Sequence, residues 1–111
     1  MTSDASFLSN LLDSLKEPYL FVDTDHVVRY LNRSALAHYE QGAGLLGTSI
    51  FDCHNAESNA MIREVFAALL AGEEERLITD NEKHRIYMRA VRDEHGELIG
   101  YYERYEPPRG S

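Results

Sequence analysis

The sequence has few cysteines, the residues that cross-link small domains through disulfides or bind metal through sulfur. Its 111 residues include one cysteine, Cys53, and no tryptophan. A single thiol cannot form an internal disulfide, and a structural zinc site made mainly of thiolates is excluded. An ordinary hydrophobic core has to hold the chain together, and its 43% of hydrophobic residues can build one such core in one domain.

Long apolar runs and an excess of basic residues are also missing. No stretch is apolar enough to cross a membrane, and residues 1–4 lack the character of a signal peptide, so we expect a cytoplasmic protein. With 19 acidic and 11 basic residues, the formal charge of -8 repels phosphate backbones. We therefore expect no nucleic-acid and no membrane partner. The cluster of Arg85, Arg89 and Arg92 is interpreted as a solvated strand edge.

Apolar spacing predicts two main helices. A stripe that starts at Phe7 and ends before Pro18 predicts an N-terminal amphipathic helix within residues 1–17. A longer helix is predicted from near Asn55 to a stop at Gly72. Its apolar stripe consists of Met61, Ile62, Val65, Phe66, Leu69 and Leu70.

Short β-rich segments surround the longer helix. Their β-branched and aromatic residues predict strands, and the short links rich in Asp, Asn and Gly predict antiparallel neighbours. The pattern predicts an α+β fold, a five-stranded antiparallel sheet with helices on one face. The predicted strands are residues 19–22, 27–31, 75–79, 83–92 and 97–105.

Three segments of the sequence resemble the PAS family of sensor domains. They are "PYLFVDTDHVVRYLNRSA", "LLGTSIFDCHNAES" and "RAVRDEHGELIGYYE". The resemblance covers residues 18–106, implies a PAS-like sheet, and leaves residues 107–111 as a flexible tail. The matching positions are Asp23, Asn32, Gly47, Ser49, Asp52, Arg92, Asp93, Glu94, Gly96 and Gly100.

A narrower similarity is to bacterial PAS domains of the hemerythrin-linked type. It rests on Cys53, His54 and Ser58 and on the stretch from Ala90 to Glu103. Two features depart from that group, since the strand "KHRIYMRAVRD" is shorter and the ending "YERYEPPRGS" lacks the usual Asp-Ile-Thr. The resemblance implies an effector domain or protein that is not present in this chain.

No catalytic set is found in the sequence, so we expect no enzyme. There is no G-x-S-x-G and no H-E-x-x-H motif. Gly42, Gly44 and Gly47 have the spacing of a dinucleotide motif, but they do not follow a strand and are interpreted as a flexible connection.

The candidate pocket residues are His54, Cys53, His38 and Met88, and we expect no metal site. Cys53 and His54 could ligate haem iron or form an activated thiol, or could be a small buried residue and a hydrogen-bonding residue ahead of the longer helix. A flavin photosensor and attached haem c are set aside, because "FDCHN" lacks their motifs. The cofactor stays unknown, with haem and no cofactor as equal alternatives. We expect His26 and His95 in turns to be solvent-exposed.

The function expected from these features is a signal-transduction sensor or interaction module that forms a homodimer. Its N-terminal stripe and the aromatic residues of the last strand would be buried by a second copy. A small molecule in a central pocket is a further candidate ligand, although we favour a centre filled by the chain's own side chains. The alternative is a haem- or other cofactor-binding gas or redox sensor that uses a pocket histidine.

Overall fold

The structure is a computed structural model that describes residues 4–108, except for the side chain of Cys53. The two predicted helices and the five predicted strands follow one another in the predicted order, and a third α-helix and two short 3₁₀ helices lie between the second strand and the longer helix. The 3₁₀ helices span Gly42–Leu45 and Ile50–Cys53. The other elements are α1 (Asp4–Asp13), β1 (Leu20–Asp23), β2 (Val28–Leu31), α2 (Arg33–His38), α3 (Ala56–Leu70), β3 (Glu75–Asp80), β4 (Arg85–Arg92) and β5 (Leu98–Glu106).

The five strands form one antiparallel sheet in the order β2-β1-β5-β4-β3. The first and last strands are therefore neighbours in the middle of the sheet. In that central pair Val22 lies opposite Tyr101, and in the long β4–β5 pair Met88 lies opposite Glu103. This arrangement confirms the predicted α+β class and the PAS-like sheet.

Asn32 joins three elements at one edge of the sheet. Its fully buried side chain caps α2, because its Oδ1 atom accepts hydrogen bonds from the backbone N–H groups of Ala35 and Tyr19, both at 2.9 Å. Its Nδ2 atom donates to the carbonyl oxygens of Leu12 at 2.8 Å and Glu17 at 3.1 Å. The amide is thus satisfied on both sides and fixes α1 against the start of β1 and of α2.

The N-terminal helix ends at Asp13, two residues before the end of its apolar stripe. The backbone N–H groups of Ser14 and Leu15 turn back to the carbonyl oxygens of Leu11 and Leu12 at 3.1 and 3.2 Å, which tightens the last turn. The Asp13 carboxylate also accepts a hydrogen bond from the backbone N–H of Arg33 at 2.9 Å. The C-terminal end of α1 is therefore tied to the start of α2.

The core lies between one face of the sheet and α3, and we call this the inner face. Side chains alternate between the two faces of a strand, so every second residue points into this core. Helix α3 contributes Ile62, Val65 and Leu69, all buried. No residue of α1 is buried, and no described helix is long and apolar enough to cross a membrane.

Two aspartates form the predicted turns in the same way. The Oδ1 atom of Asp23 accepts from the backbone N–H groups of Asp25 at 2.9 Å and Val27 at 3.1 Å. The Oδ1 atom of Asp93 accepts from those of His95 at 2.8 Å and Glu97 at 3.0 Å. A side-chain acceptor of this kind replaces the backbone partner that a tight turn lacks.

Candidate functional site

A partly open cavity of about 260 Å³ lies between the inner face and the helices. The cavity lies beside a continuous cluster of buried side chains, so the favoured expectation of a centre filled by the chain's own side chains stays a prediction. Its apolar wall consists of Leu20, Val22, Leu45, Ile50, Ile62 and Met88. Its other lining residues are Tyr39, Glu40, Gln41, His54, Tyr101 and Glu103, together with Tyr102, which also borders the opposite face of the sheet.

Strand alternation explains which side chains reach the cavity. Leu20 and Val22 are two residues apart on β1, and Tyr101 and Glu103 are two residues apart on β5, so each pair shares the inner face. Met88 lies opposite Glu103 across the β4–β5 pair and is buried with 2% of its surface exposed. Met88 was a predicted pocket residue, and the structure places it in the cavity wall.

Glu103 is the carboxylate on the strand wall of the cavity. Burial raises the pKa of the Glu103 carboxyl above its usual value, while His54 and a hydrogen bond from Tyr105 lower it. The Tyr105 hydroxyl lies 3.3 Å from that of Tyr39, which also lines the cavity. Glu103 was not among the predicted pocket residues, although its alternation with Tyr101 and Tyr105 on a predicted strand was an available signal.

The other predicted pocket residues are placed differently from one another. His54 lines the cavity, and its Nδ1 atom lies 2.8 Å from the carbonyl oxygen of Ile50. His38 lies on the exposed side of α2, where its ring contacts those of Tyr39 and Tyr105, and it does not line the cavity. The side chain of Cys53 lies outside the described residues. Of the four candidates, the structure brings His54 and Met88 together.

His26 is packed inward, which corrects the expectation that it is solvent-exposed. Its ring lies 4.7 Å from Phe51, 4.5 Å from Phe66 and 5.9 Å from Tyr101 between centroids. Its Nδ1 atom lies 2.9 Å from the Tyr101 hydroxyl. Burial, followed by the nearby charge of Arg63, lowers the pKa of His26.

The inward direction of His26 follows from its backbone. His26 adopts φ 64°, a left-handed conformation that closes the turn after Asp23 and directs the ring back over the core. Val28, two residues later, is buried, and residues two apart on a strand point to the same face. Counting back from Val28 could therefore have placed His26 on the buried side. His95, by contrast, is exposed in its turn, as predicted.

The opposite, outer face of the sheet carries a second apolar region beside α1. A groove of about 500 Å³ lies there, and we call it the α1 groove. Beside it, the apolar stripe of α1 is largely exposed, with 60% of the surface of Phe7, 54% of Leu8 and 50% of Leu11 accessible. The groove is lined by Leu12, Leu15, Tyr19, Phe21, Tyr30, Val91 and Tyr102.

The rest of the outer face carries a network of ion pairs. Glu75 accepts from Arg104 through both carboxylate oxygens, at 2.8 and 2.6 Å, and from Arg89 at 2.9 Å. These hydrogen bonds lower the pKa of Glu75 to about 2. The arginine cluster was predicted to be solvated, but Arg89 is paired in this network and Arg92 donates to the carbonyl oxygen of Leu69 at 2.7 Å.

Haem does not fit the cavity. An engineered cavity of about 150 Å³ holds a single benzene ring. A space of about 260 Å³ therefore holds less than two such rings, whereas haem is a macrocycle of pyrrole rings around iron. Among residues 4–108, with the Cys53 side chain left aside, no group of three His, Cys, Asp or Glu side chains could hold a metal ion.

A match to a family model identifies the family to which the chain belongs. The model of the family described as PAS domain matches residues 8–106. The chain belongs to the PAS domain family. The resemblance to the PAS family over residues 18–106 is thereby confirmed. No curated protein matches the chain.

Solved structures share this fold at low sequence identity. A C-terminal domain from Streptococcus mutans is similar with a TM-score of 0.78 at 21% identity, covering 96% of this chain and 85% of that one. The PAS domain of BvgS from Bordetella pertussis has a TM-score of 0.63 at 19% identity, with 96% and 87% covered. A sensory box sensor histidine kinase from Vibrio cholerae has a TM-score of 0.62 at 18% identity, with 89% and 86% covered.

Proposed function

We propose that this PAS domain is a cytoplasmic, non-catalytic sensor module that forms a homodimer through α1 and the outer face. The inner cavity receives a small molecule, and an effector outside this chain responds to it. The similarity to a domain of a sensor histidine kinase supports an effector of the signalling class. The formal charge of -8 supports a protein partner over a nucleic acid.

The exposed apolar stripe of α1 is the observation that carries the dimer. A helix of ten residues is marginal in water unless an apolar face is packed, yet no residue of α1 is buried. Its stripe lies next to the α1 groove, whose sheet side includes Tyr19, Phe21 and Tyr102. The α1 helix of a second copy offers the apolar surface that would cover both, as symmetric dimers do.

The inner cavity favours the sensing role. Its volume of about 260 Å³ lies just below the usual range of about 300–1,000 Å³ for ligand pockets. It combines an apolar wall with a few polar groups, which is the usual composition of a small-molecule site. It also lies against β5, the strand whose opposite face borders the α1 groove, so a ligand and a second copy would contact the same strand.

Light scattering on a charge-bearing variant tests the dimer. We expect Leu8→Asp combined with Leu11→Asp to weaken association at least about tenfold, because carboxylates lose hydration in an apolar contact. The matched control is Ser6→Asp with Asn10→Asp, which adds the same charge on the opposite side of α1. A stripe variant that stays dimeric, or a wild-type protein that is monomeric at high concentration, would show that this interface is wrong.

A further inference from the structure

The size of the inner cavity limits what it can hold. An engineered cavity of about 150 Å³ holds one benzene molecule. At the same volume per atom, a space of about 260 Å³ holds a molecule of roughly ten non-hydrogen atoms. The apolar wall, formed by residues such as Val22, Ile62 and Met88, suits a hydrocarbon or single-ring body.

The charged residues of the lining favour a ligand of one charge sign. Two carboxylate residues, Glu40 and Glu103, line the cavity, and no lysine or arginine is among the described residues that do so. Both carboxylates would repel an anionic ligand, and His54 is the one described lining residue that could offer it a positive charge. A cationic ligand would gain a partner that is already in place.

Glu103 is held in a position to be that partner. It projects from β5 on the inner face and receives a hydrogen bond from Tyr105. Tyr105 is in turn 3.3 Å from Tyr39 between hydroxyl oxygens, which restricts its movement. Because burial disfavours the ionised form of Glu103, a cation beside the carboxylate would offset that cost, whereas a neutral ligand would not.

From this geometry we infer that the sensed molecule is a compact amine, whose apolar body packs on Met88 and Ile62 and whose ammonium group pairs with Glu103. The inference rests on the proposed sensing role of the cavity. It adds the chemical class of the ligand and the residue that recognises its charge.

Calorimetry with three probes of nearly equal size tests the inference. The probes are 2-phenylethylamine, 2-phenylethanol and phenylacetate, titrated into the whole chain. We expect the amine to bind roughly 10- to 100-fold more tightly than the alcohol, as hydrogen bonds to charged groups allow, and phenylacetate to bind most weakly. In Glu103→Gln the preference for the amine disappears, while binding of the alcohol changes little.

Two further variants keep the test interpretable. Glu94→Gln removes the same charge from the exposed β4–β5 turn and should leave all three affinities unchanged. Glu103→Asp keeps the charge and should retain part of the preference, even if the shorter side chain weakens binding. Circular dichroism of each variant confirms that the sheet is intact.

The outcomes separate the inference from the sensing role. If the alcohol or phenylacetate binds as tightly as the amine, or if Glu103→Gln keeps the preference, the amine inference is overturned while the cavity remains a ligand site. If none of the three probes binds the wild-type protein, the inference and the sensing role are both overturned. The dimer is tested separately by light scattering.

Discussion

The two faces of the sheet differ in chemistry, although the same strands build them. The inner face is apolar with a few polar groups around a cavity, whereas the outer face joins an apolar groove to a network of ion pairs. On β5 the difference appears from one residue to the next, since Glu103 faces the cavity and Arg104 pairs with Glu75 outside. A period of two residues is thus enough to place a cavity and an apolar groove on opposite sides of one strand.

The two faces also differ in how they surround a carboxylate. Burial raises the pKa of Glu103 on the inner face, whereas paired arginines lower that of Glu75 to about 2 on the outer face. A carboxylate whose charge is not fully compensated can respond to a ligand, while one clamped by two guanidinium groups serves stability. Sensing is therefore expected inside and structural pairing outside.

The largest expected effect comes from the point where β1 and β5 meet. Gly100 lies opposite Asp23 in the register, and the ring of Phe21 covers it from the outer face. A Cβ atom at Gly100 would overlap with the Phe21 ring and with the Val22 carbonyl oxygen. We expect Gly100→Ala to lower the free energy of unfolding by about 3 kcal/mol or more, measured by urea denaturation.

Gly44→Ala is the matched control for that substitution. Its Cβ atom would meet nothing within 4 Å. Its effect should stay within about 1 kcal/mol, and the lower entropy of the unfolded chain favours a small gain in stability. Equal stabilities for the two alanine variants would show that the Phe21 ring and the β1 backbone do not pack tightly on Gly100.

A smaller effect is expected from the outer ion-pair network. The folded-state pKa of Glu75 is about 2 against an ordinary value of 4.5, so the unfolded state binds more protons between these values. The pairing therefore stabilises the fold above about pH 4.5 and is lost as pH falls towards 2. We expect Glu75→Gln to cost about 1 kcal/mol at neutral pH, since the network is partly exposed.

Thermal unfolding of the wild type and Glu75→Gln at several pH values measures this effect. The difference in melting temperature should shrink steadily below about pH 4.5. A difference that is the same at low and neutral pH would mean that Glu75 acts through packing and not through its charge.

The smallest effect is expected from His26 on the inner face. Its pKa is lowered from the ordinary value of 6.5, so the unfolded state binds a proton more readily than the folded state. The contribution of His26 to stability is therefore present above pH 6.5 and is lost as pH falls below it. His26→Asn keeps a residue that tolerates a positive φ and removes the titrating ring.

The test compares the melting temperatures of the wild type and His26→Asn near pH 8 and near pH 5. The wild type should lose more stability than the variant on acidification, because only the wild type carries the His26 ring. Glu103 and the other carboxylates are common to both proteins, so their titration cancels in the comparison. An identical loss in both proteins would exclude His26 as the group that titrates.

The order of the main elements and the turns at Asp23 and Asp93 could be predicted from the sequence, because each depends on local spacing or on one side chain near its own backbone. The cavity could not, because its volume depends on how α3 and the 3₁₀ helices stand off the sheet, which involves residues far apart in the chain. His26 was misjudged for a related reason, since its ring direction depends on a single positive φ angle in a turn.

The central claim is that the inner face holds the ligand, and NMR mapping of amide shifts on adding 2-phenylethylamine tests it most directly. We predict the largest shifts at inner-face positions around Met88, Tyr101 and Glu103 and near His54, with small shifts at the α1 groove. Shifts confined to α1 and the outer face, with the cavity residues unchanged, would contradict the account.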